Sequence, residues 1–309
     1  METRNLLSVA DLSTAETEKL IAKTLELKRG RTPQVLRDKV LALIFEKPSL
    51  RTRVSFEVAI HKLGGYSLYL SPDEVGLGKR EPVADVARVI SRYVDGIIAR
   101  TFSHQTLQSL ARYSSVPVIN ALSDYEHPCQ ALADIVTVYE KKGKLKGLTL
   151  AYIGDGNNVA HSLLLAASLA GVSFNIASPP GYAVKEEVLK AARGFAAQSG
   201  SQIVLTEEPR QAAKGADVVY TDVWTSMGQE AEAEQRRKAF AGYQVDTRLL
   251  SLAKENAIFM HPMPAHHGEE VAAGILDSPC SVVFDQAENR LHLQKALLVE
   301  IFAAAERTR

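Results

Sequence analysis

Ser49, Arg51, Thr52 and Arg53 crowd into a few consecutive positions, a set of hydroxyls and guanidinium forks suited to holding a phosphate or another small dianion. The apolar run Val40 to Phe45 before them reads as a short buried strand. Pro48 punctuates it, and Phe56, Ala59, Ile60 and Leu63 then recur at helical spacing. A helix is therefore expected to begin near Ser49. Free N–H groups and the macrodipole make a helix start positive, so Asp and Glu normally collect there. Arginines at that end imply a bound anion, gripped by backbone N–H groups, a Ser49 cap and guanidinium groups together. An ordinary Ser-capped helix with solvated arginines uses the same residue types, and the turn alone leaves both readings open.

Further polar groups stand where apolar runs end. Arg100 follows Gly96 to Ala99, and His127-Pro128-Cys129-Gln130 lies beyond Val116 to Asn120. Gly154-Asp155-Gly156 follows Leu148 to Ile153 and opens a helix, which raises a dinucleotide-binding fingerprint. The third glycine would fall at Val159, however, and Ser178 and Pro179 occupy the place of the ribose-binding acid, so a nucleotide cofactor is not expected. Asn157 and Asn158 at that helix start can bind a carboxylate or simply cap the helix. The loop Asp222 to Gly228, with Ser226 and Met227, offers an acid, a hydroxyl and flexible backbone for an amino acid's ammonium and carboxylate; a turn into a helix would use the same types. His261, His266 and His267 invite a metal. Prolines interrupt that segment and no helical His pair forms, so none is expected. His61, His104, His161 and His292 carry no motif.

These groups need a scaffold. At 309 residues the chain exceeds one compact core, and its apolar runs alternate with helical stretches, which predicts an α/β fold of two doubly wound parallel-sheet domains. The first is expected over 1–141, completed by a C-terminal helix within 286–309 that returns to it, and the second over 142–285. Ser13 and Glu16 have capping-box spacing for an opening helix. Strands are expected at Tyr66 to Leu70, Phe174 to Ala177, Ile203 to Thr206, Val218 to Thr221, Ile258 to Met260 and Val282 to Phe284. After the last of these come a polar turn holding Glu288, Asn289 and Arg290 and an apolar helix Leu293 to Ala305. Asp73 to Pro82 reads as a solvated, mobile connection. Basic and acidic residues balance at 36 each, which argues against nucleic-acid binding. Two cysteines, Cys129 and Cys280, suit a reducing compartment. The opening residues lack a signal-peptide core and no run approaches a membrane span, so a cytoplasmic protein is expected.

Taken together, Ser49-x-Arg51-Thr52-Arg53, Arg100 with Thr101, His127-Pro128-Cys129-Gln130, Asp222-x-x-x-Ser226-Met227-Gly228 and Glu288-Asn289-Arg290 resemble the transcarbamylases, and among them the ornithine carbamoyltransferases, in order and spacing over nearly the whole chain. The resemblance implies carbamoyl phosphate bound by Ser49, Leu50, Arg51, Thr52, Arg100, His127, Gln130 and Arg290, with the carbonyls of Pro262 and Met263 beside its amide. It implies L-ornithine held by Asn158, Asp222, Ser226 and the backbone at Met227. Arg51, Arg100, His127 and Asp222 are the expected catalytic set, yielding citrulline and phosphate in arginine biosynthesis, without cofactor or metal, in a homotrimer. Aspartate as the amine would need arginines where Asp222 stands. A non-catalytic sensor on this fold would not need oxyanion donors.

Three positions depart from the family pattern. Leu50 replaces a threonine whose backbone alone is needed, and Gly76 replaces a common glutamine, a place that Lys79 could fill from a neighbouring subunit. Pro262 replaces a cysteine near ornithine's α-amine, and supplies neither thiol nor N–H. Another amine, such as putrescine or a modified ornithine, is the alternative that this last change raises.

Overall fold

The computed structural model describes residues 5–226 and 228–306, which divide into two compact units. One contains the chain up to Val136 together with the chain from Asn289 onward; the other is Thr137–Glu288.

In the first unit a short 3-10 turn, Val9–Asp11, leads to α1 (Thr14–Arg29), whose Ser13–Glu16 capping box is formed. The elements β1 (Val40–Phe45), α2 (Leu50–Lys62), β2 (Tyr66–Leu70), α3 (Pro72–Val75), α4 (Val83–Ile90), β3 (Gly96–Arg100), α5 (His104–Tyr113), β4 (Val118–Leu122) and α6 (Pro128–Lys142) follow. The strands are all parallel in the order β2-β1-β3-β4. Interior β1 and β3 are buried almost throughout, which is why they read as unbroken apolar runs, whereas edge strand β2 leaves Tyr66 exposed. β4 starts later than expected because Pro117 has no N–H for the ladder; its carbonyl accepts from Ile97 instead. The strand order reverses between β1 and β3, and in such sheets the crevice beyond the carboxyl ends at that point is where ligands collect. The Ser49 turn leaves β1 there, and Arg100, opposite Phe45, is the last residue of β3.

The second unit contains β5 (Thr149–Ile153), α7 (Asn158–Ala170), β6 (Ser173–Ala177), α8 (Glu186–Ser199), β7 (Ile203–Thr206), α9 (Pro209–Ala213), β8 (Val218–Thr221), α10 (Ala233–Ala239), α11 (Thr247–Leu250) and β9 (Ile258–Met260). Its strands are parallel in the order β7-β6-β5-β8-β9, so the reversal falls between β5 and β8. Thr221 Oγ1 donates to the Ile153 carbonyl at 2.7 Å and pins the two strand ends together. The turns that follow carry Asp155 and Asn157 on one side and Asp222 on the other.

The end of the chain differs from expectation. No strand forms at Val282 to Phe284; the backbone of Ser281 makes one isolated bridge to Phe259, and α12 (Val283–Glu306) begins at once. Neither Gly nor Pro interrupts the sequence from Ser281 to Glu306, and Asp285 in the first turn suits the positive end of a helix. Glu288, Asn289 and Arg290 therefore lie inside a helix, where no turn forms. Leu293, Leu297 and Leu298 are buried, and Lys295 Nζ donates to the Leu27 carbonyl at 2.8 Å.

Gly156 explains the half-matched fingerprint. Its N–H donates to the Tyr182 carbonyl at 2.8 Å, and a Cβ there would lie 2.3 Å from the Val184 nitrogen and 2.4 Å from the Ala183 carbonyl carbon. The glycine lets the 182–184 backbone close over the β5–α7 turn. Gly156→Ala is expected to cost ~3 kcal/mol or more, since the clash is with backbone. Equilibrium urea unfolding measures this; an unchanged midpoint would show that the close approach is not needed.

Candidate active site

The first unit assembles the anion site from three parts of the chain. Ser49 caps α2 in extended conformation: its Oγ accepts from the Thr52 N–H at 3.4 Å and donates to Thr52 Oγ1 at 3.0 Å. Leu50 and Arg51 then present the first N–H groups of the helix, which have no intrahelical acceptor by construction. From α12, Arg290 Nη2 donates to Thr52 Oγ1 at 2.6 Å. Arg100, Arg290 and His127 are all at most 6% exposed, so three basic side chains are sunk around one helix start. Arg51 is half-buried. Arg53, by contrast, takes the bland role: it is exposed, pairs with Glu57 at 2.9 Å and lies 3.8 Å from the centre of the Tyr69 ring.

Burial and neighbouring positive charge set the electrostatics at Arg100 and His127. Burial, then Arg290 and Arg51, push Arg100 down to about 10, and its Nε meets no acceptor. His127 is pushed well below its usual range by burial, Arg290 and Arg100. It is thus a neutral imidazole at physiological pH, with one N–H to donate. Gln130 Nε2 donates to Asp134 at 2.8 Å, which turns its buried, unpartnered Oε1 into an acceptor. Burial pushes the Cys129 thiol up to about 12, so it is no nucleophile.

Two supports in this unit escaped sequence reading. Buried Glu126 accepts from Ser8 Oγ and, at 2.9 Å, from the Val9 N–H, which moors the turn preceding His127. Gly76, the departure from family pattern, ends α3 in left-handed conformation at φ 55°, so a backbone need accounts for it. Lys79 and Arg80 beyond it are exposed, and the segment 73–82, expected to be a solvated, mobile connection, begins within that helical turn.

The second unit holds a site of opposite character. Asn157 is the α7 cap, its Oδ1 accepting from Val159 and Ala160 N–H groups at 2.9 and 3.0 Å, while its Nδ2 donates to Asp222 Oδ2 at 2.8 Å. Asn158 is the first helical residue, half-exposed. Burial raises the Asp222 carboxyl above its ordinary value, against the pull of His261 and Asn157. Ser226 is half-buried with its N–H on Gln229 Oε1 at 3.1 Å; Met227 lies outside the described residues. Pro262 is buried and Met263 half-buried. The Met263 N–H donates to His261 Nδ1 at 2.9 Å, so the ring proton sits on Nε2 and is donated to Glu270 Oε1 at 3.2 Å. Burial alone would raise Glu270, but its bonds from His261 and the His266 N–H carry it below its usual value. His266, Glu269 and Glu270 have ligand atoms within 4.8 Å of one another, yet Glu270 is committed to that loop and Glu269 to Arg237 at 2.9 Å. Asp155, Arg236 and Glu270 are the residues here that sequence reading passed over as functional; Arg236 sits in a basic run that looks like a solvated helix face.

Buried cations gathered at a helix N-terminus, and a separate cluster of acids and amides at the strand ends of a second parallel sheet, are the candidate substrate sites of a two-domain α/β protein. Residues 4–140 match the aspartate/ornithine carbamoyltransferase carbamoyl-P binding domain, and 146–301 match the Asp/Orn binding domain. The chain is 55% identical over 300 residues to the ornithine carbamoyltransferase of Thermococcus kodakarensis, covering 96% of this chain and 95% of the relative. For that of Bacillus subtilis the identity is 52% over 303 residues, with 98% and 95% covered. The solved ornithine carbamoyltransferase from Pyrococcus furiosus superposes with a TM-score of 0.92 at 52% identity and 96% coverage of both chains. The anabolic enzyme from Campylobacter jejuni gives 0.93 at 41%, covering 99% and 100%. The chain belongs to the aspartate/ornithine carbamoyltransferase family.

The electrostatics yield a test independent of turnover. Arg100→Met removes a buried cation that its neighbours repel, and is expected to raise the melting temperature in anion-free buffer by about 2–4 °C, equivalent to ~1 kcal/mol. Inorganic phosphate should stabilise the unaltered protein and do little for the variant. A variant less stable than the parent, with an undiminished phosphate response, sinks the charge argument.

Proposed function

We propose that this protein transfers the carbamoyl group of carbamoyl phosphate to the side-chain amine of L-ornithine, giving L-citrulline and phosphate. The observation that carries the reading is the gathering of Arg51, Arg100 and Arg290 at the open start of α2, where the charges acting on Arg100 are positive. Ser49, Thr52, the N–H groups of Leu50 and Arg51, and the arginines hold the phosphoryl group. Gln130 Oε1 accepts from the carbamoyl amide. Arg100, neutral His127 and Thr52 donate to the carbonyl oxygen, where negative charge grows as the amine adds. The neutral ornithine amine supplies its electron pair to the carbonyl carbon. The carbon–oxygen bond to phosphate breaks, phosphate departs with the electron pair of that bond, and the nitrogen's surplus proton passes to phosphate or solvent.

Asp222 pairs with the α-ammonium group, and Asn158, Ser226 and the backbone at Met227 hold the α-carboxylate. An acid at this place favours ornithine over aspartate, whose second carboxylate it would repel. Pro262 leaves the α-amine to these partners alone. Assembly as a homotrimer completes the reading; exposed Leu50 and Tyr66, 75% and 73% accessible, support association between copies. Two cysteines and the absence, among the described residues, of any helix able to cross a membrane agree with a cytoplasmic enzyme.

Steady-state citrulline-type assays with ornithine, putrescine, N-acetylornithine and aspartate decide the substrate: ornithine should show the highest kcat/KM, and a better rival overturns the assignment. Arg51→Ala is expected to lose on the order of 100-fold in turnover, the typical effect of one such donor; near-normal activity would remove the helix-start argument.

The pH profile follows from two groups. Ornithine's amine, like lysine's, has a pKa of about 10, so rates at low ornithine should climb by roughly tenfold per unit from pH 7 to 9. Arg100 acts while protonated, and its lowered value of about 10 means that kcat/KM for carbamoyl phosphate turns down as pH rises through that point. A profile flat between pH 6 and 9 counts against attack by the free amine.

A further inference from the structure

Two stretches far apart in sequence meet at the edge of the first sheet. β4 is an end strand in the order β2-β1-β3-β4, and the residues from Asn5 onward run along its free side. Leu6 bridges Ile119 in parallel, its N–H donating to the Val118 carbonyl at 3.1 Å and its carbonyl accepting from the Asn120 N–H at 2.8 Å. Asn5 Oδ1 accepts from the Val118 N–H, and buried Asn120 Nδ2 donates to the Leu7 carbonyl, both at 2.8 Å. The edge of β4 is thereby covered. The segment then turns. Asp11 Oδ2 accepts from the N–H groups of Leu7 and Ser8 at 2.7 and 2.9 Å, and the turn presents Ser8 Oγ to one oxygen of Glu126 and the Val9 N–H to the other, the latter at 2.9 Å. Leu6, Val9 and Glu126 are fully buried.

Glu126 immediately precedes His127 in the turn between β4 and α6, and Gln130 sits in the first turn of α6. From its other side the same β4–α6 turn is held by the start of α5, through His104 Nδ1 with Ser123 Oγ at 2.9 Å and the His104 N–H on Asp124 Oδ1 at 2.7 Å. We infer that Glu126, held by the 5–11 segment, is a positioning residue that sets the preference of the anion site for carbamoyl phosphate over bare phosphate. The inference rests on the function proposed above, in which His127 and Gln130 meet the carbamoyl end of the substrate and the start of α2 meets the phosphoryl end. A buried carboxylate deprived of these two donors must find others or draw its turn with it, because an unsatisfied buried polar group costs more than a hydrogen bond gains. His127 is the next residue and moves with that turn. The Ser49 cap and the first N–H groups of α2 belong to a different strand end, so the grip on the phosphoryl group stays as it is.

The test compares the unaltered full-length protein with Ser8→Ala, Glu126→Gln and Glu126→Leu, measuring citrulline while both substrates are varied and inorganic phosphate is added as competing product. The ratio of KM for carbamoyl phosphate to the inhibition constant of phosphate should rise by about tenfold in Glu126→Leu, which leaves both donors unmet, and by a smaller factor in Ser8→Ala. Glu126→Gln, whose amide oxygen still accepts from the Val9 N–H, should recover most of the parent's ratio. KM for ornithine and the phosphate constant should each stay within about twofold, the scatter of distant, independent sites. A merely structural role would lower kcat through loss of folded enzyme and leave the ratio where it was. A ratio unchanged in both Glu126→Leu and Ser8→Ala, or phosphate inhibition weakened in step with carbamoyl phosphate, overturns the inference. Should Glu126→Leu not fold, Ser8→Ala decides alone. An unaltered protein that makes no citrulline refutes the proposed function instead.

Discussion

Like charges do not gather in a protein interior unless something holds them there, and Arg51, Arg100 and Arg290 gather at the start of α2, Arg100 and Arg290 deeply buried and Arg51 half-buried, with neutral His127 between helix and strand ends. Burying a guanidinium beside like charges costs stability. The neighbouring backbone adds to the excess rather than relieving it, because a helix N-terminus is itself positive. Stability has been given up at this place for a function.

Parallel sheets explain why polar groups of such different kinds can be presented at all. Interior strands are apolar on both faces, so the carboxyl ends where strand order reverses are the places at which backbone turns and polar side chains stand clear of the core. In the first unit that place receives cations. In the second it receives Asp222, Asp155 and two asparagines, and the one deeply buried cation described there, Arg236, is taken up by Asp155. The same architecture thus presents cations at one reversal and acids with amides at the other, and the difference lies in the side chains gathered there.

What could be read from the sequence was what is decided locally. Continuous apolar runs marked β1, β3 and β8 because those strands are buried on both faces, and Ser49 and Ser13 announced their caps because capping is settled within one turn. The end of the chain was misread where two local signals competed: Val282 to Phe284 has strand propensity, but an uninterrupted run of helix-compatible residues beyond it prevailed. Residues whose roles depend on distant partners left no trace. Arg236 is buried only because Asp155 meets it, 81 positions away, and Glu126 matters because Ser8 and Val9 come to it from the start of the described chain. Gly156 was legible as a glycine in a turn, but the backbone that occupies its missing side chain was not.

Arg290 donates to Thr52 across 238 positions of sequence. During synthesis the strands and helices of the first unit emerge early, and a ribosome adding roughly 5–20 residues per second then spends many seconds on the second unit before α12 appears. Over that interval Thr52 is without the Arg290 guanidinium and the Leu27 carbonyl is without Lys295 Nζ. A nascent chain therefore lacks, until the last helix is made, the guanidinium that donates to Thr52. The timing of this contact is set by where along the chain a single arginine is encoded.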